Sequence, residues 1–277
     1  MKLTLGIYHQ DGTVAMGQEN NESQPLVSAN SEQCYLATQG YLFQDGDVIR
    51  VTVDTPDSFL MVRLATSLKE DLVFVPRGEI NYLVDLSANR REAQSSALFT
   101  GTTHYLSVRQ AEEFEIKNYR NLSENTHDQK DFTGAYPHAH ANVETRNDAV
   151  FFACNAIDGI LASRSHGAYP FQSWGINQQA DAALTIDFGR QVQVNRVGFC
   201  LRADFPHDNY WKKVTLKFGE ADEETFSLAK TGAMQYFTFS ARTVTAVTLQ
   251  NLIPATNPSP FPALTQLALF GSNVTAI

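Results

Sequence analysis

The segment Leu-Thr-Ile-Asp-Phe-Gly, residues 184–189, carries the clearest structural signal in this chain. Apolar and polar residues alternate along it, which is the period-two pattern of a strand with one buried face. We therefore expect Leu184, Ile186 and Phe188 to point into a core.

The same alternation recurs on both sides of this segment. Downstream, Val197, Phe199 and Leu201 repeat the pattern. Upstream, residues 48–53 put Ile49 and Val51 on one face, and Gly, Pro and Asp turns separate this strand from its neighbours. Short alternating strands with such turns indicate antiparallel sheets rather than alternating helices and strands. The sequence therefore predicts an all-β protein made of two β-sandwich, jelly-roll-like domains.

A short polar segment separates the two predicted sandwiches. Residues 111–117 contain helix formers and a Glu113/Lys117 pair with the i, i+4 spacing that supports a helix. We expect an N-terminal sandwich over residues 1–110, a helical connector over 111–117 and a second sandwich over 118–277. The role of the first sandwich is left open between a scaffold and an oligomerisation module.

The charge distribution argues against two classes of partner. The chain has 277 residues and a formal net charge of -9. Residues 1–116 carry 8 Lys/Arg and 16 Asp/Glu, a net of -8, which leaves 13 and 14 and a net of -1 for the remainder. Neither half has the basic stripe that binding a phosphate backbone requires, so nucleic acid is not an expected partner. A polyanionic glycan is disfavoured for the same reason.

The cysteine content and the lengths of the apolar segments indicate in which cellular compartment the protein is expected. Cys34, Cys154 and Cys200 are few and odd in number, so they indicate buried small residues rather than a disulfide framework. The N-terminal residues alternate like a strand and lack the apolar run of a signal peptide. No run approaches 18 apolar residues, so we expect no membrane partner and a cytoplasmic protein.

From Tyr119 onward, the order of motifs resembles the discoidin-like, or coagulation-factor type C, family of galactose-binding domains. The motifs are Asn121-Leu122, Asn155-Ala156-Ile157-Asp158-Gly159, Gln172-Ser173-Trp174, residues 184–189, Val194-Asn195-Arg196-Val197 and Leu267-Ala268-Leu269-Phe270-Gly271. The resemblance implies a galactose-binding-like sandwich. It also implies a sugar site in loops at one end of the sandwich, built from His, Arg, Asn and an aromatic residue.

The resemblance leaves a structural calcium open. Many members of the family hold calcium through the Asp-Gly turn and a glutamate near the C-terminal strand. Asp158 occupies the turn here, but the C-terminal segment reads Gln266-Leu267-Ala268 and supplies no carboxylate. Calcium prefers several oxygen ligands, so a site at Asp158 would need backbone carbonyls in addition.

Three loops combine aromatic rings with planar polar groups, the two devices that proteins use to bind sugars. The loops are residues 165–174, 202–211 and 257–262, and strand alternation after Leu201 predicts that Arg202 points outward. The candidate ligand-binding residues are His166, Tyr169, Trp174, Arg202, Asp204, His207, Asp208, Trp211 and Phe261.

Several of these residues also have plain structural interpretations. Trp174 and Trp211 are typical of a core beneath a site. Arg202 could form a structural ion pair with Asp204 or Asp208. The His138 and His140 pair could share a metal, although surface histidines account for such a pattern more simply.

The sequence predicts a carbohydrate-binding protein that recognises a neutral saccharide through the C-terminal loops. One alternative is a carbohydrate-active enzyme, a glycoside hydrolase or lyase, for which Asp204 and Asp208 are the available carboxylates. The other is a protein-interaction sandwich without a small ligand. The catalytic motifs of common hydrolases and nucleotide enzymes do not occur in the sequence, which favours binding over catalysis. The oligomeric state is left open.

Overall fold

A computed structural model describes residues 1–203, 209–256 and 259–274. The chain forms two compact units. Unit 1 comprises Met1–Ile116 and Asp131–Tyr136, and unit 2 comprises Lys117–Lys130 and Pro137–Ile277. The segment Asp131–Tyr136 thus lies with the first unit, whereas the sequence indicated one unbroken domain from residue 118.

Backbone hydrogen bonds explain that assignment. Phe74 and Tyr136 each donate an amide to the carbonyl of the other at 2.9 Å, and the Asn81 amide donates to the Thr133 carbonyl at 2.8 Å. The segment therefore extends the edges of two unit 1 strands. A backbone pairing between residues so far apart in sequence leaves no trace in local composition.

Unit 1 consists of short strands and two single-turn helices, which are joined by turns and loops. The strands are β1 (Leu3–Tyr8), β2 (Met16–Glu19), β3 (Glu22–Pro25), β4 (Val27–Asn30), β5 (Gln33–Thr38), β6 (Val48–Val53), β7 (Ser58–Arg63), β8 (Asp71–Val75), β9 (Glu79–Leu83) and β10 (His104–Gln110). The helices are α1 (Ala88–Glu92) and α2 (Glu113–Lys117), and α2 falls in the segment expected to be helical.

Two four-stranded antiparallel sheets form the unit 1 sandwich. Their strand orders are β4-β1-β6-β9 and β5-β10-β7-β8, and β2 and β3 form a separate hairpin. One core joins the sheets, with Leu5 and Val51 from the first packed in the same cluster as Leu36, Val62 and Leu106 from the second. Burying each such side chain stabilises the fold by about 1.5–3 kcal/mol. The predicted sandwich is confirmed for this half.

Unit 2 is also built from strands, several of them long. They are β11 (Arg120–Asn121), β12 (His138–Ala141), β13 (Trp174–Gly175), β14 (Leu184–Leu201), β15 (Trp211–Lys217), β16 (Glu223–Ser227), β17 (Gln235–Pro254) and β18 (Ala263–Asn273). The 3₁₀ helices Thr145–Asn147, Ala149–Phe151 and Ala153–Ile157 precede the long strands. The main sheet has the order β11-β18-β14-β17-β15-β16, with β12 paired to β14 and β13 to β18.

The long strand β14 explains how one sheet makes a sandwich. Leu184 and Phe188 from its first half and Val194 and Phe199 from its second half are fully buried in the same core. Its pairing with β17 shifts register between Asp187 and Val192, where Gly189 has a positive φ of 65°. The sheet thus bends over its own core. The sequence indicated two separate strands here, because the bend interrupts the alternation.

Three further expectations concern the cysteines, membrane-spanning helices and the fold class. All three cysteines, Cys34, Cys154 and Cys200, are buried. Within the described ranges, no helix is long and apolar enough to cross a membrane. The all-β fold class is confirmed, with 8% of the residues in helices.

Candidate functional site

Three of the predicted ligand residues converge on one cleft of about 350 Å³ in unit 2. They are His166, Arg202 and Phe261, which come from the three loops that the sequence indicated. We call this feature the Arg202 cleft. Its lining residues are Thr145, Arg146, Phe151, His166, Gly175, Ile176, Asn177, Gln178, Arg202, Phe261, Pro262 and Ala263.

Arg202 lies at the base of the cleft rather than pointing outward. Its residue is only 5% exposed, and its backbone amide donates to the Ala263 carbonyl at 3.1 Å. The pairing of β14 with β18 shifts register between Cys200 and Leu201. That irregularity breaks the alternation just before Arg202, so the outward orientation expected from the sequence is corrected.

The Arg202 guanidinium has donors directed toward the cleft. Nη1 donates to Ser173 Oγ and Nη2 to the Phe261 carbonyl, both at 3.5 Å. Hydrogen bonds of this length are at the outer limit of the accepted range. Arg202 Cζ lies 6.0 Å from the centroid of the Phe151 ring. The guanidinium is planar and carries five N–H donors in a fixed fork, a geometry that suits paired oxygen atoms.

Two pairs of residues with unusual backbone conformations border the cleft. Arg146 and Asn147 have φ of 53° and 57°, and Asn177 and Gln178 have φ of 49° and 59°. Left-handed conformations are uncommon outside glycine and cluster at ligand sites. The Asn177 amide donates to Thr145 Oγ1 at 2.8 Å and thereby joins the two segments. Sequence reasoning missed all of these residues, although asparagine is enriched at such positions.

Aromatic rings form the apolar part of the cleft. Phe261 is 52% exposed, and Arg146 Cζ lies 5.5 Å from the centroid of the Phe151 ring. Gly175 lets Phe151 come close, because an added Cβ would lie 2.9 Å from Phe151 Cδ1 and 2.8 Å from Thr145 Oγ1. The cleft thus combines apolar ring surface with planar hydrogen-bonding groups.

Both tryptophans lie in the core and not at the cleft surface. Trp174 and Trp211 are 0% exposed, and their ring centroids are 6.2 Å apart. Trp174 Nε1 donates to the Val143 carbonyl at 3.0 Å. Because neither ring presents a face to solvent, the expectation that they bind ligand is corrected in favour of the structural interpretation.

The other predicted site residues fall into two groups. Tyr169 is 40% exposed and is not among the described lining residues of the cleft. Asp204, His207 and Asp208 lie outside the described residues, so the ion pair expected between Arg202 and either aspartate remains an expectation.

Amide donors surround the carboxylate of Asp158. Oδ1 accepts from the Ile160 amide at 2.9 Å and from Gln266 Nε2 at 2.6 Å. Oδ2 accepts from Gln172 Nε2 at 2.7 Å. Calcium is bound by oxygen atoms that face the ion, whereas these neighbours present N–H groups to the carboxylate. The N–H groups around Asp158 therefore do not fit the calcium ion that the family resemblance implied.

His138 belongs to a buried pair with an aspartate. Its Nδ1 lies 2.8 Å from Asp128 Oδ1, and Asp128 Oδ2 accepts from the Ala139 amide at 2.8 Å. Burial raises the pKa of the Asp128 carboxyl. The His140 ring stacks on His138 with centroids 5.8 Å apart. In the described ranges, no group of three or more His, Cys, Asp or Glu could hold a metal ion.

Comparison with known proteins gives structural matches only. No protein-family model matches the chain, and a search of curated proteins finds no significant match. Chitosan-binding module 1 of a chitosanase/glucanase from Paenibacillus sp. IK-5 is 19% identical, with a TM-score of 0.38, and the match covers 55% of this chain and 98% of that chain. The family 32 carbohydrate-binding module of C. perfringens NanJ, in complex with galactose, is 14% identical, with a TM-score of 0.40, covering 55% and 99%.

The lectin domain of lectinolysin, complexed with Lewis B antigen, is 18% identical, with a TM-score of 0.39, covering 55% of this chain and 96% of its own. These neighbours are carbohydrate-binding and lectin modules of the galactose-binding-like fold. At such identities, the chemistry of the cleft has to be derived from the residues of this chain.

Proposed function

We propose that unit 2 binds a neutral saccharide in the Arg202 cleft. The observation that supports this most directly is the convergence of Arg202, His166 and Phe261 on one open cleft from three separate loops. A sugar ring has apolar C–H faces and hydroxyl groups around its edge. Aromatic rings cover the former, and forked polar groups bind the latter.

The polar groups of the cleft suit vicinal hydroxyls. Arg202 offers planar donors in a fixed fork, and the exposed amides of Asn177 and Gln178 can both donate and accept. His166 is exposed on the opposite loop and can add a donor or an acceptor. Each hydrogen bond to a ligand contributes about 0.5–1.5 kcal/mol net, so several of them acting together would contribute a few kcal/mol.

A neutral ligand agrees with the charges around the cleft. Arg146 donates through Nε and Nη2 to Asp148 Oδ2 at 2.8 and 2.7 Å. Its charge is thereby compensated inside the protein. Unit 2 also lies almost wholly in the part of the chain whose net charge is close to zero. A strong attraction for polyanions is therefore not expected.

A second groove in unit 2 is larger but less suited to this function. Its volume is about 470 Å³, and Leu161, Phe171 and Met234 line it. Its buried Ser163 Oγ and Cys200 Sγ donate to the Gly232 carbonyl at 3.1 and 3.2 Å. Those polar groups serve the fold, so we assign the ligand to the Arg202 cleft.

A glycan array on the intact protein tests the proposal. We expect selective binding of neutral glycans and loss of most of that signal in a His166→Ala variant. His140→Ala is the matched control, because His140 is also an exposed histidine of unit 2 but lies outside the cleft. An array with no bound glycan would reject the saccharide function. Equal signals from both variants would place the site elsewhere.

A further inference from the structure

The side chain of Gln266 sits at the centre of a buried network beside the Asp158 turn. The residue is 4% exposed. Its Nε2 donates to the Asn155 carbonyl at 2.7 Å and to Asp158 Oδ1 at 2.6 Å, and its Oε1 accepts from the Gly159 amide at 3.1 Å. One amide thus joins β18 both to the 3₁₀ helix Ala153–Ile157 and to the turn that follows it.

The surrounding groups fix the orientation of this amide. Asn155 and Asp158 offer only oxygen acceptors to it, and Gly159 offers only an N–H donor. The reverse orientation would put Oε1 against two acceptors and the amide nitrogen against a donor, leaving buried polar groups unpaired. The amide nitrogen therefore faces the Asn155 carbonyl oxygen and Asp158 Oδ1. A cation that bridged these two oxygens would have to occupy the same position as the nitrogen.

The same carboxylate also anchors the loop that carries His166. Gln172 Nε2 donates to Asp158 Oδ2 at 2.7 Å, and Gln172 is 4% exposed. The next residue, Ser173, provides the hydroxyl that accepts from Arg202. The Asp158 turn and the base of the cleft are therefore linked through consecutive residues.

We propose that the side-chain amide of Gln266 takes the place of a metal ion in this turn and makes unit 2 independent of calcium. The two Nε2 hydrogens satisfy the two oxygens that a bridging ion would otherwise satisfy. A bound calcium would have to displace the amide and leave its nitrogen buried without an acceptor. This inference concerns the stability of the turn and does not depend on which ligand the cleft binds.

Thermal unfolding of the intact protein in EDTA and in calcium chloride tests the inference. We expect the native melting temperature to be the same in both. Gln266→Glu should melt at least about 5 °C lower in EDTA, because a carboxylate would then face Asp158 and the Asn155 carbonyl. Calcium chloride should raise the melting temperature of this variant by about 5–10 °C. The new carboxylate, the Asp158 carboxylate and the Asn155 carbonyl then form an oxygen site for the ion.

Gln193→Glu is the control, because Gln193 is exposed on β14 and the change adds the same charge. Its melting temperature should match the native value with and without calcium. A native protein stabilised by calcium would overturn the inference. So would a Gln266→Glu variant as stable as the native protein in EDTA, or one that calcium does not rescue. If Gln266→Glu fails to fold, the native melting temperatures in EDTA and in calcium chloride still show whether unit 2 depends on calcium.

Discussion

Phe261 and Arg202 present two different kinds of surface in the Arg202 cleft. Phe261 is half exposed on a proline-rich loop, whereas Arg202 is almost fully buried beside it. The ring offers apolar surface, and the guanidinium offers directed donors. The two groups therefore suit the apolar face and the hydroxyl edge of a sugar ring, respectively.

Replacing Phe261 by Ala should weaken saccharide binding about three- to tenfold. The ring contact contributes about 0.5–1.5 kcal/mol, and 1.4 kcal/mol corresponds to one decade in the dissociation constant. Isothermal titration with a glycan selected from the array measures the effect. Phe114→Ala, which removes an exposed phenylalanine of unit 1, should bind as the native protein does. An unchanged dissociation constant for Phe261→Ala would remove this ring from the site.

At the level of residues, the sequence indicated the loops that line the Arg202 cleft better than it indicated the geometry of the cleft. His166, Arg202 and Phe261 could be selected because aromatic and planar polar residues are concentrated in their loops. Arg146 and Asn177 could not be selected from the sequence. The contact between their segments depends on a hydrogen bond to Thr145 and on left-handed backbone conformations. Those features follow from tertiary contacts and not from local composition.

The strand β13 controls the shape of the cleft through a glycine. Trp174 of this strand is buried in the core, and Gly175 lies against Phe151 and Thr145. Pairing with β18 places Gly175 opposite Ala263. This short strand therefore connects the core to the cleft wall.

A Gly175→Ala change should both destabilise the fold and weaken binding. The added methyl would lie within 3 Å of Phe151 and Thr145, and overpacking of this kind costs about 1–3 kcal/mol. Unfolding in urea measures the stability, and titration with the glycan measures binding. Gly219→Ala is the matched control, because a Cβ there meets nothing within 4 Å. If both variants behave alike, the close approach at Gly175 is unimportant.

The helix α2 is fixed to β10 by a two-pronged ion pair. Arg109 Nη1 and Nη2 donate to Glu115 Oε2 and Oε1 at 2.8 and 2.7 Å. The hydrogen bonds from Arg109 hold the pKa of the Glu115 carboxyl below its ordinary value of 4.5. The ion pair therefore stabilises the folded state only while Glu115 is ionised.

Glu115→Gln should lower the free energy of unfolding by about 1 kcal/mol at pH 7. Because the folded-state pKa is depressed, this contribution is complete above about pH 4.5 and is lost as the pH falls through the folded-state value. Urea unfolding at pH 7 and pH 3 measures it, with the exposed Glu22→Gln as control. A difference from the native protein that persists unchanged at pH 3 would contradict the assignment.

The elements themselves were predictable where a strand is short and regular. Ile49 and Val51 of β6 are buried as the alternation predicted. The long strands of unit 2 could not be predicted as single strands, because their bends and register shifts interrupt the alternation of apolar and polar residues. The sequence therefore indicated the regular parts of β14 and missed the bend that joins them.

For the molecule as a whole, the circular dichroism spectrum should be dominated by β-structure. Only 8% of residues are helical, compared with about a third in an average globular protein. Far-ultraviolet spectra of the intact chain measure this directly. A helical fraction near that average would contradict the description of both units.

The domain organisation could be predicted only in part. Composition and the change of pattern near residue 111 indicated two sandwiches, and the units divide after Ile116. The return of Asp131–Tyr136 to unit 1 depends on pairing with β8 and β9. Long-range strand pairing of this kind is set by the fold and is not visible in a local window of sequence.

Titration of the intact protein and of Arg202→Ala with one glycan selected from the array tests the central claim most directly. The native chain should bind one saccharide, and the variant should bind at least about tenfold more weakly while its melting temperature stays close to native. Arg164→Ala, an exposed arginine outside the Arg202 cleft, should change neither value. A folded Arg202→Ala protein with native affinity would contradict the assigned site, and a variant that loses several kcal/mol of stability would make Arg202 a structural residue.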